Sequence, residues 1–204
     1  MIIDFSIENF KSLRDKVTLS FEPEKSDRLG DYYIVEPVAG VKLLKLGIIY
    51  GPNGSGKSSI LEALNFLRQL VVNPVVHKQD LLEYEPFLFD NVSHTAPTTF
   101  ELNFLVEDEK YGYVVSFNKQ MVIAEHLYNY TPKKALVYER KTDSEKQLAT
   151  IKIGNKYKLK KSAEDSLLAN TLWNATVLNS FLRTNIDSNA LKDVTHWFYY
   201  VLNK

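Results

Sequence analysis

Cysteine is absent from the chain. That excludes disulfide frameworks, thiolate nucleophiles and cysteine-based zinc sites together, and it fits a reducing compartment. Net charge is also absent: 25 Lys and Arg balance 25 Asp and Glu, so no global field advertises a nucleic-acid or membrane partner. No apolar run approaches the roughly 20 residues of a membrane span. The start, Met1 to Phe10, carries an acid at Asp4 and no basic segment ahead of an apolar stretch, which is not the pattern of a secretory leader. No internal repeat or low-complexity segment occurs. These absences predict a soluble, cytoplasmic chain without a membrane partner. What remains is ordinary globular composition, 45% hydrophobic over 204 residues, enough for one domain or a domain and a half.

Against that plain background one stretch is specific. Leu46 to Tyr50 is a short Ile-rich run that predicts a strand buried on both faces. Gly51-Pro52-Asn53-Gly54-Ser55-Gly56-Lys57-Ser58 then matches G-x-x-x-x-G-K-[ST] at every fixed position. Ile60, Leu61, Leu64, Phe66, Leu67 and Val71 follow at helical spacing. Strand, glycine loop and helix in that order are the context in which the motif holds phosphate. Glycines let successive N–H groups turn inward, and the helix N-terminus adds partial positive charge. Lys57 supplies a point charge for the β and γ phosphates, and the Ser58 hydroxyl a ligand for Mg²⁺. Asn53, Gly54, Ser55, Gly56, Lys57, Ser58 and Ser59 are therefore the candidate residues for ATP, with Ser58 also the candidate for Mg.

Hydrolysis asks for more: an acid on a neighbouring strand and a group to position water. Phe87-Leu88-Phe89-Asp90 is short. Leu102 to Glu109 carries Glu107 and Asp108, but Lys110-Tyr111-Gly112 and a second alternating run follow, which is the pattern of a hairpin with an acidic turn. The second acid is thus expected outside this chain, and no catalytic residue is assigned within it.

The rest of the pattern is strand-rich. Ile2 to Asn9, with Ile3, Phe5 and Ile7 on one face, and Val17 to Phe21 predict a pair of strands. Residues 22–40, with Pro23, Gly30, Pro37 and Gly40, predict a loop, and 73–98 an irregular stretch. Five strands are then expected in a row, over Thr99–Val106, Tyr111–Phe117, Met121–Tyr130, Ala135–Arg140 and Leu148–Lys158, the last with a turn at Gly154-Asn155. From Asp165 the period changes. Leu167 to Leu182 predicts one amphipathic helix, and Asp187-Ser188 caps another running to the end. The helical pattern reaches Lys204 with no stop signal, so the chain is expected to continue: residues 1–164 as an N-terminal lobe, 165–204 as the start of a helical insertion.

A parallel P-loop core returns strands alternating with helices; here antiparallel strands follow the first helix. With Ile7-Glu8-Asn9-Phe10-Lys11-Ser12-Leu13 ahead of GPNGSGKSSILEAL, Glu85-Pro86-Phe87, Thr99 to Phe104, Tyr111-Gly112-Tyr113, Ala124 to Leu127 and Val137 to Arg140, the chain resembles the N-terminal half of an ABC-type ATPase head of the RecF/SMC/OLD-like branch, as in the ATP-binding proteins of bacterial anti-phage systems. The resemblance implies an α/β P-loop NTPase with an antiparallel β lobe and C-terminal helices. It implies ATP and Mg held between two protomers, one giving the P-loop and the other a Ser-Gly signature loop, with second acids in a C-terminal half. It implies that Lys11 and Ser12 approach the nucleotide; read alone, Lys11 is equally a solvated turn residue. Gln79 is a loose candidate for the Mg²⁺ and water contact usual in such heads. No Leu-Ser-Gly-Gly-like stretch occurs before residue 204. The expected function is ATP binding with little turnover by this chain itself, as half of an ATPase that dimerises on ATP and drives DNA or a partner nuclease in anti-phage defence. The competing reading is a small P-loop kinase or NTPase acting on a metabolite, which calls for an acid and a basic lid near the loop.

Other residues carry less. His77, His94, His126 and His196 have no ligand spacing, and His126 reads as a sheet residue. Trp173, Trp197, Phe198, Tyr199 and Tyr200 read as core or interface. Lys152, Lys156, Lys158 and Lys160 would share one face of an extended strand. Such a face would track a DNA backbone or serve as a solvated edge.

Overall fold

The computed structural model describes residues 1–25 and 30–202; part of the expected 22–40 loop lies outside them. The strand-forming alternation yields β1 (Ile2–Glu8) and β2 (Val17–Ser20). A single helical turn, α1 (Gly30–Tyr33), precedes a hairpin of β3 (Ile34–Val38) and β4 (Val41–Leu44). The helix of the glycine motif is α2 (Lys57–Val72). An irregular stretch follows, then β5 (Thr98–Val106), β6 (Glu109–Phe117), β7 (Val122–Asn129), β8 (Ala135–Asp143) and β9 (Leu148–Ile153). Three helices close the described chain, α3 (Lys161–Asn170), α4 (Val177–Phe181) and α5 (Asn189–His196), with a π-helical turn over Trp197–Val201.

Seven strands form one antiparallel sheet in the order β2-β1-β5-β6-β7-β8-β9. Its alternation sends Phe100, Leu102 and Phe104 of β5 and Tyr113, Val115 and Phe117 of β6 to one face, where α2 contributes Ala63, Leu67 and Val71, and the C-terminal helices contribute Leu167, Leu178, Val194 and Phe198. The β3–β4 hairpin covers a corner of the opposite face through Leu43, Val35 and Val41 against Ile3 and Leu105. Rings of Phe10, Phe66, Tyr84, Phe100 and Phe117 pack together, with Tyr84–Phe117 centroids 4.9 Å apart and Phe10–Phe100 5.4 Å. They tie the segment after β1 to α2 and to the sheet.

Five expectations change. The 22–40 region is not all loop, because a short strand carrying Pro37 pairs across the turn at Gly40 with β4, as a two-stranded sheet of its own. Ile3 leaves the face of Phe5 and Ile7, because the register shifts between Ile2 and Asp4. Leu46 to Tyr50 joins no sheet among the described residues, and Ile48 and Tyr50 are 78% and 90% exposed. A strand meant for two-sided burial has no neighbour to bury it. Leu61 of α2 is exposed for the same reason, facing away from the sheet. The single helix expected over 167–182 is broken between α3 and α4, where Trp173 and Asn174 bond the loop carbonyls of Lys78 and His77 and Thr176 bonds Leu70 O at the end of α2.

Candidate phosphate-binding site

The loop between Tyr50 and Lys57 turns as its glycines require. Gly54 and Gly56 take φ of +81° and +88°, the left-handed region, and Ser55 N–H bonds to Pro52 O at 3.4 Å. Gly56 is required twice over. A Cβ there would lie 2.5 Å from Leu13 Cδ2 and 3.2 Å from Ser12 Oγ. Gly56 is the N-cap of α2, whose leading N–H groups have no intrahelical acceptor and are open to an anion. Lys57 Nζ donates to the carbonyls of Gly51 at 2.9 Å and Pro52 at 2.7 Å, so its ammonium lies across the mouth of the loop. Asn53, Gly54, Ser55 and Ser58 are exposed, while Ser59 is buried. Ser58, on the open side of the first turn, is free of the packing that holds Ser59. Its hydroxyl suits Mg²⁺, a hard cation that takes one or two protein oxygens with phosphates and waters.

Lys11 and Ser12 are brought to this loop by a tight turn. Phe10 N–H donates to Leu13 O at 2.8 Å and Leu13 N–H to Phe10 O at 2.9 Å. Lys11 N–H bonds Glu85 O at 2.9 Å, and Lys11 takes φ +51°. Ser12 Oγ lies 2.8 Å from Ser59 Oγ. Lys11 Nζ pairs with Glu62 of α2. The motif residues therefore divide: Gly54 to Ser58 frame the open end, Ser12 and Ser59 fasten the turn to the helix, and the Lys11 side chain runs along α2.

Asn9, quoted in the sequence only as part of a motif, organises the neighbouring loop. Its Nδ2 donates to Ser93 O and Ala96 O, both at 2.9 Å, and its Oδ1 accepts Phe87 N–H at 3.0 Å. A buried amide spending both its donor and acceptor on one loop is invisible to any pattern of spacing.

The acids behave as the hairpin pattern predicts. Val106 pairs with Glu109 across a turn of Glu107 and Asp108. That turn sits at the far end of β5 from Thr99, which pairs with Glu8 beside the Lys11 turn. At about 3.3 Å per residue the separation is roughly 25 Å. Asp90 accepts Ser93 N–H at 2.6 Å and the Ser93 hydroxyl at 2.9 Å, bonds that hold its carboxyl below the ordinary range. It shapes a loop. No group of three His, Asp or Glu fit to hold a metal occurs among the described residues. Gln79 lies exposed in the stretch after α2.

The lysine face does not form. β9 ends at Ile153, and Gly154 approaches β8 so closely that a Cβ would collide with Leu136 O. Lys156 then falls in a 3-10 turn, Lys158 after it, and Lys160 at the N-cap of α3. Lys141, on β8 beside β9, is paired with Glu139 at 2.6 Å.

The family model described as "AAA domain, putative AbiEii toxin, Type IV TA system" matches residues 47–202. The match starts just ahead of the glycine loop and runs through the antiparallel sheet into the last helical turn. No curated protein matches the chain. No helix among the described residues is long and apolar enough to cross a membrane.

Proposed function

The chain belongs to this AAA domain family of P-loop ATPases, and from that premise we propose that it binds Mg·ATP as one half of a composite site closed by a second protomer or by further chain. The α/β architecture is that of a P-loop NTPase, and nucleotide binding is its family function. In this reading the amides of Gly54 to Ser58 take the phosphates, Lys57 leaves Gly51 O and Pro52 O for the β and γ oxygens, Ser58 ligates the metal, and Ser12 and Lys11 wall the site. The metal, when bound, neutralises charge developing on the transferred phosphoryl group.

The observation that carries the reading is the exposed helix N-terminus framed by left-handed glycines with a lysine ammonium across it. Completion from outside is supported by Leu46 to Tyr50, an exposed apolar segment leading into the loop and paired with no strand among the described residues. The distance of Glu107 and Asp108 and the local role of Asp90 support weak turnover by this chain. A helical insertion beginning near residue 165, dimerisation on ATP, a partner nuclease and an anti-phage role complete the proposal from the resemblance. For DNA the lysine face gives no support, since Lys156, Lys158 and Lys160 leave the strand, and the resemblance alone carries that partner.

Titration of Mg·ATP into wild type and Lys57→Ala tests this. Lys57 Nζ bonds loop carbonyls, so the variant should keep its fold and its unfolding midpoint while losing ATP binding. Equal affinities would sink the assignment.

A further inference from the structure

We infer that Glu62 is a latch: it holds the Lys11 ammonium along α2, away from the phosphate site, and releases it when a nucleotide arrives. The inference rests on the nucleotide reading above and adds a positioning residue to it.

The backbone beneath Lys11 is fixed. Reciprocal bonds close the Phe10–Leu13 turn, Glu85 O takes the Lys11 amide, and the Phe10 ring is stacked on Tyr84. Leu13 rests where a Gly56 side chain would be. Lys11 keeps a left-handed φ of +51° in spite of its Cβ, a conformation that persists only where its surroundings over-determine it. So the turn is pinned to the P-loop, and only the lysine side chain is free to change partners.

Its present partner lies in the wrong direction for phosphate. Ser59 and Glu62 stand three apart on α2 and share one face. Ser12 holds the first and Lys11 the second. Glu62 is more than one helical turn beyond Lys57, roughly 7 Å along the axis. A flexible four-carbon stem lets the ammonium swing back toward the helix N-terminus while Ser12 keeps its place. The pair is also easy to open: side chains of Lys11 and Glu62 are 38% and 48% exposed, and exposed pairs are weak. A polyphosphate at the helix N-terminus carries several charges against the single charge of Glu62, so it wins the lysine. Glu62 meets no ligand in this account; it acts only through Lys11.

A double-mutant cycle of Mg·ATP affinity on the full chain tests the latch, with Lys11→Met, Glu62→Gln and Glu62→Ala. Lys11→Met should weaken binding about ten-fold, the loss of one charge-assisted contact, and Lys11→Arg should restore most of it. Both Glu62 variants should tighten binding two- to five-fold, the range of an exposed pair. In the Lys11→Met background they should change nothing. A merely structural pair gives the opposite sign, because loss of either partner loosens the turn. Weaker binding by the Glu62 variants overturns the latch. So does tightening that persists without Lys11, which would mark a simple field effect of the acid. If wild type binds no Mg·ATP, the nucleotide reading falls and the latch with it; if wild type binds and either of the other results appears, the latch alone falls.

Discussion

Oε2 of Glu125 accepts the backbone N–H of Val177 at 2.8 Å, joining the middle of β7 to the first turn of α4. Its Oε1 accepts the hydroxyls of Tyr113 and Tyr138, and Arg140 reaches the carbonyls of Val122, Leu172 and Trp173. Having been fastened to the sheet, the same segment serves the phosphate-binding helix. Thr176 Oγ1 donates to Leu70 O at 3.2 Å and Asn179 Nδ2 to Val71 O at 3.1 Å, so side chains satisfy carbonyls that the C-terminal end of α2 leaves open. One buried polar path thus runs from the sheet to the helix that carries the glycine loop at its other end.

Glu125 makes this path pH-dependent. Burial raises its pKa above 4.5, opposed by Arg140, the two tyrosine hydroxyls and the Val177 amide. A raised native value means the folded state holds the proton more tightly than the unfolded one. That stability is full below about 4.5 and is lost as pH climbs through the native value. Glu125→Gln removes the titration, so urea midpoints of wild type should fall relative to the variant as pH rises above about 4.5. Glu125→Ala orphans three donors and should lower stability by about 3–5 kcal/mol at every pH. A wild-type-minus-Gln difference that is flat with pH would sink the assignment.

Gly56→Ala places a methyl against Leu13 at a φ of +88°. The strained backbone and the collision together should destabilise the chain by about 2–4 kcal/mol. Because the collision pushes on the Lys11 turn, ATP affinity should fall with it. Chemical denaturation and nucleotide titration measure the two, and a variant as stable as wild type would remove Leu13 from its assigned contact.

Much of this was legible beforehand. The glycine motif, the acidic hairpin and the row of antiparallel strands follow from local pattern, since alternation and turn residues act over a few positions. Leu46 to Tyr50 was legible as an apolar strand but not as an exposed one, because burial depends on neighbours that a strand's own residues do not encode. The break before α4 was hidden for a related reason. Leu167 to Leu182 keeps a helical period, yet Trp173 and Asn174 bond the carbonyls of Lys78, His77 and Asp80, far away in sequence. The turn at Gly154-Asn155 was legible, but not its consequence for the lysines: β9 stops at Ile153 and the 3-10 turn over Asn155–Tyr157 takes Lys156 off the strand face.

Turnover separates the acids from the loop. Asp90→Asn, Glu107→Gln and Asp108→Asn should leave ATP affinity unchanged, and this chain should hydrolyse ATP far below the ~1 s⁻¹ at the slow end of ordinary enzymes. Asp90→Asn should instead loosen the Ser93 turn. Steady-state phosphate release near that rate, abolished by any one of the three, would make that residue catalytic.

The segment ahead of the loop supplies the last test. Leu46, Ile48 and Tyr50 are exposed at 64%, 78% and 90%, and the last backbone bond before them is Lys45 N–H to Tyr33 O at 2.8 Å. Backbone with exposed apolar side chains and no ladder is poorly protected: its amides should exchange with solvent within the dead time of a hydrogen-exchange experiment, while those of β5 and β6 exchange near the global unfolding limit. If the composite-site proposal holds, whatever closes the site also pairs this segment, since Tyr50 runs directly into Gly51. Adding the proposed second protomer or further chain with Mg·ATP should then slow exchange at 46–50 together with the amides of Gly54 to Ser58. ATP alone, binding only the loop, should protect Gly54 to Ser58 and leave 46–50 fast. Slow exchange at 46–50 in the isolated chain would show that the segment already has its partner, and the argument for completion from outside would fail.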